Sequence, residues 1–119
     1  MLNQSNKSTV RQERSKRKLS ARIVAAANTI LWECPVGRST TVTSIVICNS
    51  SSSQVTFRLF HVTPAESASA TTALFYDIIL RPATTTVLEQ KIYMNSGERL
   101  IGYASTASVI GVSLFGEDA

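Results

Sequence analysis

Apolar and polar residues alternate in short runs along most of this chain, broken by turn residues at intervals of about ten positions. "QVTFRLFHV" (54–62) alternates most cleanly: Val55, Phe57, Leu59 and His61 point one way, Thr56, Arg58, Phe60 and Val62 the other. Phe60 and Val62 thereby fall on the nominally outer face, where solvent would not favour them. "TTVTSIVICN" (40–49) is β-branched, and its unbroken Ile45-Val46-Ile47-Cys48 centre predicts a strand buried on both faces. "ALFYDIIL" (73–80) reads as a strand stopped at Arg81-Pro82, because the residue before a proline leaves the helical region. "TTTVLEQKIYM" (84–94) is a further strand or a bent pair.

Between the strands lie turn signals. "PVGRS" (35–39) is a turn, "NSSSSQ" (49–54) a polar hairpin connection, and "TPAESASATT" (63–72) a loop of small residues. "ERLIGYAST" (98–106) and "SVIGVSLFG" (108–116) read as a final hairpin about "STAS", and Gly102 and Gly111 inside them mark bulges or close subunit approach. In "ARIVAAANTILWECP" (21–35), helix is conceivable for "RIVAAAN", whereas Thr29-Ile30-Leu31-Trp32 favours extended backbone. Seven or eight short strands predict an all-β body, an antiparallel β-sandwich or jelly roll over residues 23–119. At 119 residues there is room for one such domain.

Residues 1–22 follow none of this periodicity. They are polar, with seven basic side chains (Lys7, Arg11, Arg14, Lys16, Arg17, Lys18, Arg22) against Glu13, and carry +6 of a net +4, leaving the body at −2. Such a segment cannot repay the entropy of folding alone and is expected to be an extended, flexible arm. Nucleic-acid binding suits its charge, because Lys and Arg neutralise phosphates, but the arm lacks aromatics to stack bases. A membrane surface would want an apolar helical face, which is missing. Two readings stay beside these: a localisation address, and a tether ordered on a neighbouring acidic protein.

The candidate chemistry is sparse. His61 is the only histidine, in phase with core-facing residues; Glu33, Glu66, Asp77, Glu89 and Glu98 are dispersed; no serine sits in a G-x-S-x-G context. No enzyme activity, cofactor or metal site is expected. Cys34 and Cys48 fit no metal spacing and are expected to be buried, reduced thiols; pairing them would need neighbouring strands and an oxidising compartment. No apolar leader core precedes Ile23, and no run approaches the ~18 residues that cross a bilayer. Charged residues make up only 17%, below the usual ~25%, so much neutral surface is left for packing on other subunits. A homo-oligomer is expected, with Ile45, Ile47, Phe60 and Val62 at its interface and a trimer favoured.

Read together, "PVGRSTTV" (35–42), "SIVICNSS" (44–51), "TFRL" (56–59), "FYD" (75–77), "GERL" (97–100), "YAS" (103–105) and "SLFG" (113–116) form a pattern that resembles small virion structural proteins of tailed bacteriophages. The resemblance covers residues 30–119 and excludes the arm. It implies an assembly role without catalytic residues: a capsid decoration (cement) protein on the shell exterior, made in the host cytoplasm, clamping the major capsid protein. The same pattern is compatible with a tail, neck or baseplate part. A nucleic-acid binder using the basic arm is the remaining alternative.

Overall fold

The structure is a computed structural model that describes residues 15–118. Nine strands follow in chain order: β1 (Ser15–Val24), β2 (Thr29–Glu33), β3 (Thr40–Asn49), β4 (Val55–Val62), β5 (Ala73–Leu80), β6 (Thr84–Leu88), β7 (Ile92–Met94), β8 (Arg99–Ala104) and β9 (Ile110–Asp118), with one short 3-10 turn at Ala70–Thr72. They form two antiparallel sheets. The first has the order β1-β9-β3-β6, with β7 also pairing β3; the second has the order β2-β8-β4-β5. The pairs β1·β9, β2·β8, β3·β6 (with β7) and β4·β5 are the rungs of one long hairpin rolled over itself, which is the jelly-roll arrangement. The expected fold class is therefore found, and 84–94 is the bent pair β6–β7.

The partners of several strands differ from expectation. Both "NSSSSQ" and "STAS", expected as hairpins, are corners between the sheets: β3 and β9 lie in the first, β4 and β8 in the second. A polar Ser-rich run marks a turn of either kind, and only side-chain bonding tells them apart. Here the fully buried Asn49 does so. Its amide donates to the carbonyls of Ser53 (2.9 Å), Leu80 (3.1 Å) and Arg81 (3.1 Å), and its Oδ1 accepts the Ser51 N–H (3.0 Å). That Asx turn bends the chain across to the other sheet and ties it to the end of β5.

The core lies between the sheets. β9 alternates strictly from Ile110 to Asp118, and Phe57, Leu59, Leu100, Leu114, Ile45 and Ile47 fill the interior. The expected two-sided burial of 45–48 is not found: Ile45 and Ile47 are buried, Val46 is half-buried and Cys48 is exposed. The oligomer-interface expectation needs the same correction. Ile45 and Ile47 belong to the core of the single chain. Phe60 and Val62 do point outward from the second sheet, but they form a satellite core with Ile101, covered by Ala68, Ala73 and Tyr103. The 63–72 loop thus covers them where a second subunit was expected.

Two glycines are set by close approach. A Cβ at Gly102 would lie 3.0 Å from Leu31 Cδ1 and 3.3 Å from Phe57 Cε1, beside the bulge that turns Leu31 inward. Gly116 is tighter, since a Cβ there would run into the Thr41 carbonyl oxygen and lie 2.9 Å from Val42 Cα. Gly111 meets nothing nearer than Ile23 Cδ1 at 3.9 Å. Gly116→Ala should therefore cost about 1–3 kcal/mol through overpacking, while Gly111→Ala stays within about 0.5 kcal/mol as a surface change. Urea denaturation of the two variants checks the contrast.

Candidate interaction surfaces

The basic strip is partly built into the sheet. Lys7, Arg11 and Arg14 lie outside the described residues, whereas Lys16, Arg17, Lys18 and Arg22 stand on β1, paired with β9 from Ser15–Asp118 to Val24–Ile110. The expected flexible arm through residue 22 is corrected to this extent. Leu19 and Val24 are buried and anchor the strand. A bulge between Lys18 and Ser20 breaks the even spacing that would have revealed it.

The four cations do different work. Arg17 reaches the buried Asp118 carboxylate through two bonds, Nη2–Oδ2 at 2.6 Å and Nε–Oδ1 at 3.4 Å, and lies 6.0 Å from the Trp32 ring centroid. Arg38 Nη2 stands 3.6 Å from the same carboxylate, and Trp32 Nε1 donates to Thr40 Oγ1 at 3.2 Å. This cluster closes the end of the sandwich, so Arg17 is a structural cation. Lys16 and Lys18 face outward instead. Lys18 Nζ lies 5.9 Å from the Phe115 ring centroid, at the rim of a shallow concavity of about 450 Å³ lined also by Thr43 and Glu117. Both neighbours of β9 bulge at this level, β1 between Lys18 and Ser20 and β3 between Val42 and Ser44, each across from Phe115. Arg22 is exposed farther along the strand.

The outer face of the second sheet carries a different surface. Cross-strand pairing places Ile30, Ile101 and Phe60 in one row, Tyr103 and Arg58 in the next, and Thr56 and Ile79 beyond. The Arg58 guanidinium is held between two rings, 4.2 Å from Tyr76 and 4.9 Å from Tyr103. Asp77 grips it through Nε–Oδ1 at 2.6 Å and Nη2–Oδ2 at 3.2 Å. That hydrogen bond lowers the Asp77 pKa and raises that of Arg58. Asp77 takes the left-handed backbone, φ 56°, inside a bulged stretch of β5. Ile30, Tyr76 and Ile79 are exposed around this anchor.

No family model matches the chain, and neither a curated protein nor a solved structure matches it.

The remaining candidate groups are placed as follows. His61 Nε2 lies 2.7 Å from Glu98 Oε1, linking the end of β4 to the turn before β8. Among the described residues, no three His, Cys, Asp or Glu side chains come together in a way that could hold a metal ion. No helix of the described residues is long and apolar enough to cross a membrane. Both cysteines are free; Cys34 is buried, but Cys48 is exposed, against expectation, beside the hollow left by Gly111. Sequence reasoning missed Phe115, Tyr103 and Asp118 as surface-shaping residues. Their one signal was position, opposite in phase to the core residues for Phe115 and Tyr103.

The Arg17–Asp118 bond has a pH signature. Hydrogen bonding to Arg17 holds the Asp118 carboxyl below its usual range, with the charges of Arg17 and Arg38 adding to the effect. The stabilisation is full above the unfolded aspartate value of about 3.9 and is lost as pH falls through the depressed folded value. Asp118→Asn should cost about 1 kcal/mol at neutral pH, the half-exposed Arg17 keeping it below a fully buried charged bond. The gap between wild type and variant should start to narrow in urea titrations as pH falls below about 4 and close once pH is below the depressed folded value.

Proposed function

We propose that this chain is a structural component of a bacteriophage particle, a capsid decoration protein that self-associates, as a trimer, and clamps neighbouring shell subunits. The observation that carries the reading is the outer face of the second sheet. With the interior already filled by the single chain, Ile30, Tyr76 and Ile79 remain exposed in adjoining rows around a guanidinium stacked between tyrosines. Exposed apolar side chains around a tyrosine-stacked arginine have the composition of binding hot spots. The motif resemblance of residues 30–119 and the jelly-roll body support the same reading. Clamping is adhesive chemistry, in which many weak contacts repeated over symmetric sites add up to avidity.

The self-association surface is tested by the double variant Tyr76→Glu plus Ile79→Glu. Both side chains are more than half exposed (51% and 61%), so the fold should survive. Analytical ultracentrifugation should find wild-type trimer and variant monomer; a monomeric wild type overturns the self-association. Place in the particle is read from copy number in purified virions. On the order of hundreds of copies supports the shell, whereas roughly six to a few dozen moves the protein to the neck, tail or baseplate, as closed ring symmetry requires. Because residues 15–24 are a sheet strand, the tether is tested by deleting residues 1–14, which removes Lys7, Arg11 and Arg14 and leaves β1 whole. The truncated protein should fold and self-associate but decorate shells more weakly.

A further inference from the structure

β1 forms a margin of the first sheet. β9 pairs along one side of it and, among the described residues, no strand pairs along the other. A strand in that position is a template for an added strand, through its backbone N–H and C=O groups. What can be added is selected by charge. Lys16, Lys18 and Arg22 are exposed on β1, and its described residues contain no acid. Two copies meeting edge to edge would set cations against cations, which is unfavourable across a strand pair. Residues 1–14, with three cations and Glu13, are an equally poor match.

The side already occupied shows what does match. β9 ends in Glu117 and Asp118; Glu117 stands opposite Lys16, and Asp118 takes the Arg17 guanidinium. We propose that the open side of β1 accepts an extended acidic segment of a partner protein as an added strand, its carboxylates meeting Lys16 and Lys18, which share one face of the strand, as Glu117 stands opposite Lys16 on the β9 side. The bulge at Leu19 divides the edge into two short regular stretches, Ser15–Lys18 and Ser20–Val24. The added strand is therefore held by few backbone bonds and depends on its charges, as a contact made only in a crowded assembly would. The inference deepens the particle reading and rests on it for the partner's setting, whereas the edge itself is testable with a free peptide.

The probe is a fluorescein-labelled peptide alternating glutamate and valine, titrated with the full chain at low salt and followed by anisotropy. It should bind, and a peptide alternating lysine and valine should not. Lys16→Glu plus Lys18→Glu, at exposed positions that leave the fold intact by circular dichroism, should weaken binding about tenfold or more, two surface ion pairs being lost and reversed. Methylating alternate backbone nitrogens of the peptide should abolish binding, which charge attraction alone would not do. Equal binding of the methylated peptide, binding unaffected by the lysine reversal, or absence of binding overturns the proposal. So does tighter binding of a single-stranded oligothymidylate, which would make the edge a nucleic-acid surface. Particle copy number and trimer formation are measured separately, so failure here leaves the particle reading standing, and the converse also holds.

Discussion

The first sheet is registered on one strand. β9 alternates without interruption, and both neighbours must follow it although each carries one residue too many at the level of Phe115. The surplus is absorbed in paired bulges, with Leu19 turned into the core on one side and Thr43 Oγ1 donating to the Phe115 carbonyl at 3.3 Å on the other. The bend this produces is possible because Gly116 has no side chain where the Thr41 carbonyl comes in. Lys18, Phe115 and the concavity between them result from that accommodation. So does the inward turn that delivers Arg17 to Asp118.

The second sheet solves a different problem. It carries a full core on one face and a large apolar presence on the other, and divides the outer face by a loop. Residues 63–72 fold back over Phe60 and Val62, while Ile30, Tyr76 and Ile79 stay outside. Arg58 belongs to the open part. Its stacking between tyrosines and its grip by Asp77 fix a long side chain in one geometry, so a partner docking there would not have to order it.

The strands could be read from the sequence because their periodicity is local. Residues 54–62 and 108–116 alternate in a way that depends on nothing elsewhere. Strand partners could not be read, since a Ser-rich corner and a Ser-rich hairpin look alike until Asn49 is seen bonding to Leu80 and Arg81. Phe60 and Val62 were rightly placed on the outer face, but what covers them comes from a loop of alanines and serines that has no apolar signature. β1 was hidden twice, by its charge and by the bulge that puts Leu19 and Val24 out of phase. The apparently separate basic strip is, from residue 15 onward, a sheet margin carrying the charged side chains that discourage edge-to-edge aggregation.

The pairing of β1 with β9 also has a consequence in time. Ser15 lies opposite Asp118, so the described chain is closed by a contact between its two ends. During synthesis, β3 likewise lacks its β9 neighbour until Ile110–Asp118 emerges, and the first sheet cannot form in any stable way before then. Six of the eight connections between strands cross from sheet to sheet among the described residues, so most pairings join segments distant along the chain. Folding dominated by such distant pairings is slow. The nascent chain thus carries its basic strand unpaired, beside an unfinished sheet, until β9 has been made. The surfaces built on the first sheet therefore come into being only once β9 has paired on both of its sides.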